Sequence, residues 1–215
     1  MDVNGIGRIV AIVPVRSLSG AKSRLGEPLD AEERVDLVRA LLRRTVREAR
    51  AATHLAGVVV VSMDDELLRE AVALGATTLL QKRGGLNQGL EEARSAVEGE
   101  AAAVLVLPVD LPEVSGAAID KLAEAAQRVG RSSPGCPVVI LVTDHHGTGT
   151  NALLVAPPGT IPFHFGDASR AAHASAARAA GAAYLEIDGP LSFDLDTAED
   201  LLEADRRGFR HEDGR

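Results

Sequence analysis

Ile9-Val10-Ala11-Ile12-Val13-Pro14-Val15 and Gly57-Val58-Val59-Val60-Val61-Ser62 are two short β-branched runs separated by a long Ala-, Leu- and Arg-rich stretch. Apolar runs of this length read as buried strands, and the stretch between them sets Val35, Leu37, Val38, Leu41 and Leu42 at helical spacing. The start of that helix is marked as well. Asp30 is an N-cap candidate, and Glu33 stands three residues on, where a capping box needs it. A strand, a helix running to about Ala51 and a second strand make one βαβ unit. The alternation continues, with strands expected over 77–80, 103–107, 137–142 and 151–156, and helices over 65–74, 87–97, 115–129, 167–180 and 197–206. The expected fold is α/β, a mainly parallel central sheet with helices on both faces.

A chain of 215 residues with 46% hydrophobic and 25% charged residues has the make-up of an ordinary globular protein. One domain over 1–215 is expected, its ends at 1–8 and 207–215 frayed. Aromatic residues make up only 2% of the chain, so Ala, Val and Leu must fill the core. A net charge of -8 works against phosphodiester backbones, and no Lys/Arg run with interleaved aromatics suggests a nucleic-acid surface. Cys136 is the sole cysteine, which excludes an intrachain disulfide and suits a reducing cytoplasm. The first apolar run, residues 9–15, is too short to span a membrane and has no secretory leader around it.

In open α/β sheets ligands bind beyond the carboxyl ends of the strands, so the residues just after each strand carry the information. After the first strand, Arg16-Ser17-Leu18-Ser19-Gly20-Ala21-Lys22-Ser23-Arg24 combines three cations with small residues and a glycine, a composition that suits a triphosphate. It lacks the glycine spacing of a Walker loop. After the fourth strand comes Pro108-Val109-Asp110-Leu111-Pro112, a carboxylate between two stiffening prolines. Asp110 reads either as a metal ligand or as a cap for the helix that starts near Ser115. Further on, Asp194 and Asp196 share one face if their segment is extended, although Asp196 could instead N-cap the last helix. Three carboxylates brought to one sheet edge would supply the hard oxygen ligands that magnesium prefers beside phosphates.

Gly84-Gly85-Leu86-Asn87-Gln88-Gly89-Leu90 offers amide groups that could read a purine edge, or is a plain turn with Asn87 as N-cap. Phe163-His164-Phe165-Gly166-Asp167-Ala168-Ser169 opens a helix, and such a start is an anion site by its unpaired amides. His145, His146, His164 and His173 do not match zinc spacings, and Gly5-Ile6-Gly7 precedes a strand rather than following one, so it is no dinucleotide fingerprint.

Read in order, these pieces resemble a known family. Val13-Pro14-Val15-Arg16 with Ala21-Lys22-Ser23-Arg24-Leu25 comes first, followed by Leu86-Asn87-Gln88-Gly89-Leu90 and Leu107-Pro108-Val109-Asp110-Leu111-Pro112. Gly147-Thr148-Gly149-Thr150-Asn151, Phe165-Gly166 with Ser169 and His173, and Asp194-Leu195-Asp196 complete the set. Together, from about Ile9 to Asp200, they are similar to the phosphoenolpyruvate/2-phospholactate guanylyltransferases of coenzyme F420 biosynthesis. The resemblance implies a GT-A-like, Rossmann-like nucleotidyltransferase fold. It implies GTP at Pro14, Val15, Lys22, Asn87 and Gly89, with Lys22, Arg24 and Asp110 in catalysis. Mg2+ is expected at Asp110, Asp194 and Asp196, and the phosphorylated acid at Asn151, Gly166 and Ser169. Two positions depart from the pattern: Asn151 stands where many bacterial relatives carry Thr, and Arg16 where they commonly carry Lys. Asn can still donate to a carboxylate or phosphate.

The implied reaction moves GMP from GTP to the phosphate of phosphoenolpyruvate, giving enolpyruvoyl-2-diphospho-5'-guanosine and diphosphate. A phosphate monoester is already ionised near neutrality, with a second pKa of ~6, so no general base is required. Phosphoenolpyruvate is the first choice because the Ala- and Arg-rich chain is bacterial in character and bacterial relatives use it. The sequence leaves 2-phospho-L-lactate and 3-phosphoglycerate open as acids, and a homodimer open as the assembly. A downstream deazaflavin transferase would take the product. A molybdenum-cofactor-type nucleotidyltransferase would need a Leu-Ala-Gly-Gly first loop, and a non-catalytic nucleotide-binding module would need no acidic set.

Overall fold

The computed structural model describes residues 6–16 and 29–209. In chain order the strands are β1 (Ile9–Pro14), β2 (Leu55–Ser62), β3 (Thr77–Leu80), β4 (Ala103–Val106), β5 (Val138–Thr143), β6 (Thr150–Ala156) and β7 (Ala183–Ile187). The helices are α1 (Ala31–Ala51), α2 (Asp65–Ala73), α3 (Leu86–Val97), α4 (Gly116–Ser132), α5 (Ser169–Ala179) and α6 (Ala198–Arg206). All seven strands form one sheet in the order β3-β2-β1-β4-β6-β5-β7. The α/β expectation holds, and the sheet is parallel except at β6, which runs antiparallel to both β4 and β5. That single reversal matters for the site. It brings the beginning of β6, Thr150 and Asn151, to the edge where the other strands end.

Side chains alternate across each strand, so one sheet feeds two cores. Ile9, Ala11 and Val13 face α1, α2 and α4 through Val38, Leu42, Leu67, Ile119 and Leu122. Val10 and Ile12 face the opposite side, where Leu90, Ala93 and Val97 of α3 and Ala177 of α5 cover them. Aliphatic residues fill both layers, as the scarcity of aromatics requires. A third, smaller cluster lies on the far side of α1, where Leu37 and Leu41 meet Phe193, Leu195, Ala204 and Phe209. Phe209 is buried to 8% exposure, and Arg206 and Arg207 pair with Glu203; residues 210–215 lie outside the described residues.

Local signals were accurate where the chain supplies its own caps. Asp30 Oδ1 accepts from the amides of Glu32 and Glu33 at 2.8 and 2.9 Å, and Glu33 Oε2 accepts from the Asp30 amide at 2.8 Å, closing the capping box. Other boundaries moved. α5 begins at Ser169 rather than 167, because Ala168 takes a left-handed conformation with φ of 55°. β7 was not expected: it is a half-exposed edge strand whose Glu186 and Tyr184 interrupt the apolar run. No helix among the described residues is long and apolar enough to cross a membrane.

A candidate active site at the carboxyl edge of the sheet

Asp110, Asp194 and Asp196 come together at this edge. Asp110 lies four residues beyond β4, and its carbonyl accepts a hydrogen bond from the Leu195 amide at 2.9 Å, joining the two acidic segments through their backbones. Phe193 and Leu195 are buried against α1, so the residues between and after them, Asp194 and Asp196, take the other face of the segment. The capping alternatives do not hold. Ser115 is the N-cap of α4, accepting from the Ala118 amide at 3.2 Å, and Thr197 is the N-cap of α6.

Burial is the largest influence on Asp194 and raises its pKa; the nearby charges of Asp110 and Asp196 push the same way, while bonds from Asn151 and His145 pull against them. A carboxylate whose ionisation is opposed by burial and by neighbouring carboxylates is one that a cation would favour in its charged form. The donors are all carboxylate oxygens, which suits a hard divalent cation and not zinc. Among the described residues no three acidic or His side chains form a ready-made cage. Magnesium does not need one, because it ordinarily takes one or two carboxylates and completes its shell with waters and phosphate oxygens. The residues present would therefore fit a magnesium ion that takes only one or two of these carboxylates.

The turn between β5 and β6 forms a second wall. Asp144 accepts from the Thr148 amide at 2.8 Å; burial works against its ionisation, but the amides of Gly149 and Thr148 outweigh it and hold its pKa below the usual range. Gly149 is needed here, since a Cβ would stand 2.7 Å from Asp144 Oδ2. Arg170 fastens this turn to α5, donating to the Gly147 carbonyl at 2.8 Å and pairing with Glu186 of β7 at 2.8 Å. Asn151 is buried, and its Nδ2 donates to Asp194 Oδ1 at 3.1 Å.

The start of α5 faces the same turn. Two of its amides are already taken: Ser169 N–H bonds the Gly166 carbonyl and Arg170 N–H bonds the Thr148 carbonyl, both at 3.2 Å. What remains distinctive is Ser169 itself. The residue is 2% exposed, and among the described residues its hydroxyl has no hydrogen-bond partner. Gly166, with φ of 127°, has open space where a side chain would be. Behind them His173 is fully buried; its Nε2 accepts from the His164 amide at 2.9 Å, which leaves Nδ1–H facing Thr150 Oγ1 at 3.0 Å. Burial first, and His164 second, depress its pKa from 6.5 to about 4.

On the nucleotide side, Pro14 ends β1 and Val15 is buried with its amide bonded to the Val61 carbonyl at 3.0 Å. Lys22 and Arg24 lie outside the described residues. Asn87 is not the N-cap of α3: that place belongs to Gly85, with φ of 103°. Its carboxamide is instead spent on Phe165, donating to the carbonyl at 3.0 Å and accepting from the amide at 2.8 Å. Gly89 is buried against Gln81, whose Oε1 would lie 2.5 Å from an added Cβ. Gln81 also grips the carbonyls of Arg83 and Gly85, shaping the turn before α3.

Several residues of this region escaped the reading of the sequence. Arg170 acts on Glu186 and Gly147, 16 and 23 positions away, and left no local mark, whereas Asp144 and Asp200 hold amides three to five residues from themselves, and the Asp144/Gly149 turn shows as a glycine five residues after an aspartate. Asp200 Oδ2 accepts from the amides of Asp196 and Thr197 at 3.1 and 2.8 Å, holding the acidic segment from behind.

Residues 9–209 match the family described as "Guanylyl transferase CofC like". The phosphoenolpyruvate guanylyltransferase of Rubrobacter xylanophilus is 43% identical over 202 residues, covering 93% of this chain and 95% of the relative. The 2-phospho-L-lactate guanylyltransferase of Methanothermobacter thermautotrophicus is 33% identical, over 90% of this chain and 82% of that one. Among solved structures, a nucleotidyl transferase from Methanothermobacter thermautotrophicus superposes with a TM-score of 0.64 at 15% identity, covering 94% of this chain and 97% of that one. The last likeness shows a shared fold and no more.

Proposed function

The chain belongs to the CofC-like guanylyl transferase family, and from that premise we propose that it transfers GMP from GTP to the phosphate of phosphoenolpyruvate in coenzyme F420 biosynthesis. The observation that carries the reading is the meeting of Asp110, Asp194 and Asp196 with the Asn151 turn and the Ser169 helix start at one sheet edge. One side is negative and suited to a cation; the other is buried, polar and unpaired at Ser169.

In this reading the acid's phosphate oxygen attacks the α-phosphorus of GTP, a new P–O bond forms, and the α–β bridging bond breaks to release diphosphate. The nucleophile is ionised already, so catalysis consists of alignment and charge neutralisation. Asp110, Asp194 and Asp196 would hold magnesium, which when bound would shield the phosphate charges that must approach each other. Lys22 and Arg24, by family resemblance, neutralise the triphosphate. Ser169 Oγ–H and the open backbone at Gly166 receive the acid. Asn151 stands between the two halves: one hydrogen of its Nδ2 is on Asp194, and the other is left for the acid. Because the Asn87 carboxamide is engaged with Phe165, guanine would be read by backbone groups at the start of α3. The protein would act in the cytoplasm and pass its product to a deazaflavin transferase.

The testing experiment is incubation with GTP or ATP, magnesium and each of phosphoenolpyruvate, 2-phospho-L-lactate and 3-phosphoglycerate, with the downstream transferase present to trap the product for mass spectrometry. GTP with phosphoenolpyruvate should give the largest yield. A clear preference for 2-phospho-L-lactate would change the acid and leave the site; equal turnover of ATP would sink the guanine reading.

A further inference from the structure

His145 belongs to the turn between β5 and β6, 49 residues from Asp194 in the chain, yet its ring lies between two aspartates. Its Nδ1 is 3.0 Å from Asp194 Oδ1 and its Nε2 is 3.6 Å from Asp200 Oδ1. Asn151, at the start of β6, donates to that same Asp194 Oδ1 at 3.1 Å. Two donors from either end of one turn thus converge on a single carboxylate oxygen. Asp200, for its part, holds the amides of Asp196 and Thr197 and the Thr197 hydroxyl through Oδ2. The result is a brace on Asp194, with His145 and Asn151 both bonded to its Oδ1, while Asp200 holds the Asp196 backbone and faces His145 Nε2 at 3.6 Å.

We propose that His145 and Asn151 are positioning residues that hold Asp194 by Oδ1, so that Oδ2 is the oxygen it offers to a divalent cation. The inference rests on the cation site of the preceding section. Its physical basis is that a carboxylate beside two others is repelled by both, and left alone it would rotate away; two hydrogen bonds on one oxygen fix the plane of the group and the direction of the other oxygen. His145 also packs against Phe193, the residue before Asp194, with ring centroids 5.6 Å apart. The brace would make the site ready before GTP arrives.

The test is direct titration of Mn2+ into the full-length protein with GTP but no acid, following the free-ion signal by electron paramagnetic resonance, so that turnover plays no part. His145→Ala and Asn151→Ala should each weaken Mn2+ binding by roughly 10- to 100-fold, the usual effect of removing a partner of a metal ligand. His145→Asn, whose amide can occupy the Nδ1 position, should bind Mn2+ more tightly than His145→Gln, which reaches toward Asp200 instead. That comparison carries the test even if the alanine variant does not fold. Unchanged binding in the folded alanine variants, or Gln matching or exceeding Asn, would overturn the brace and leave the guanylyltransferase reading intact. Failure of the unaltered protein to take up Mn2+ with GTP would remove the cation site, and this proposal with it.

Discussion

Asn87 and Phe165, 78 residues apart, exchange two hydrogen bonds, side-chain amide to carbonyl at 3.0 Å and backbone amide to side-chain oxygen at 2.8 Å. The first turn of α3 is thereby stitched to the segment that leads into Gly166 and Ser169. A residue expected to face the nucleotide is thus bonded to the segment proposed to receive the acid. Asn87→Ala should therefore raise the KM for phosphoenolpyruvate as well as for GTP, by about 1 to 2 kcal/mol for two lost bonds, or roughly 5- to 30-fold. Steady-state kinetics with each substrate varied in turn will check this. An effect confined to GTP would show that the stitch has no bearing on the acid.

Ser169, a residue only 2% exposed, offers a hydroxyl that no described group uses. Ser169→Ala removes a bond to an anion, on the order of 1.5 to 3 kcal/mol, so the KM for the acid should rise roughly tenfold to over a hundredfold. GTP affinity, measured by calorimetry without acid, should stay as it is. A fall in GTP affinity alone would mean that the acid and the nucleotide have been assigned to each other's places.

Asp110→Asn and Asp196→Asn each remove one charge from the acidic set while keeping its shape. Both variants should stay folded and lose several kcal/mol of transition-state stabilisation, on the order of a hundredfold or more in kcat/KM. Chelation of the unaltered protein should abolish turnover, and added magnesium should restore it. Near-normal turnover of either variant would disprove the three-carboxylate arrangement.

His173 links stability to pH. Its folded pKa of about 4 lies below the unfolded 6.5, so the unfolded chain binds the proton more readily. The stabilisation is fully present above pH 6.5 and is lost as pH falls toward 4, on the order of 3 kcal/mol in all. Urea midpoints taken between pH 7 and pH 4 should fall more steeply for the unaltered protein than for His173→Gln, which has no titrating group there. Identical slopes would show that His173 is not charged on unfolding.

Most of the architecture can be read along the chain, because short apolar β-branched runs, helical spacing and the Asp30/Glu33 capping box are local signals. The identities of the acidic residues are equally local, since Asp110 follows a strand between prolines and the Phe193/Leu195 alternation turns Asp194 and Asp196 to one face. The half-exposed edge strand β7 was not legible, for its pattern is too mixed to distinguish from a loop.

What the sequence by itself determined is the α/β layering, the family resemblance and the list of chemistry-bearing residues. Only the tertiary structure decided which of them work together. The antiparallel β6 carries Asn151 to the edge where the parallel strands end, and through it to Asp194. The fold likewise spends the Asn87 carboxamide on Phe165 and sets His145 between Asp194 and Asp200. Each of these joins residues tens of positions apart. No periodicity records such a bond, because strand order and direction, and not spacing along the chain, determine which distant side chains come within hydrogen-bond reach.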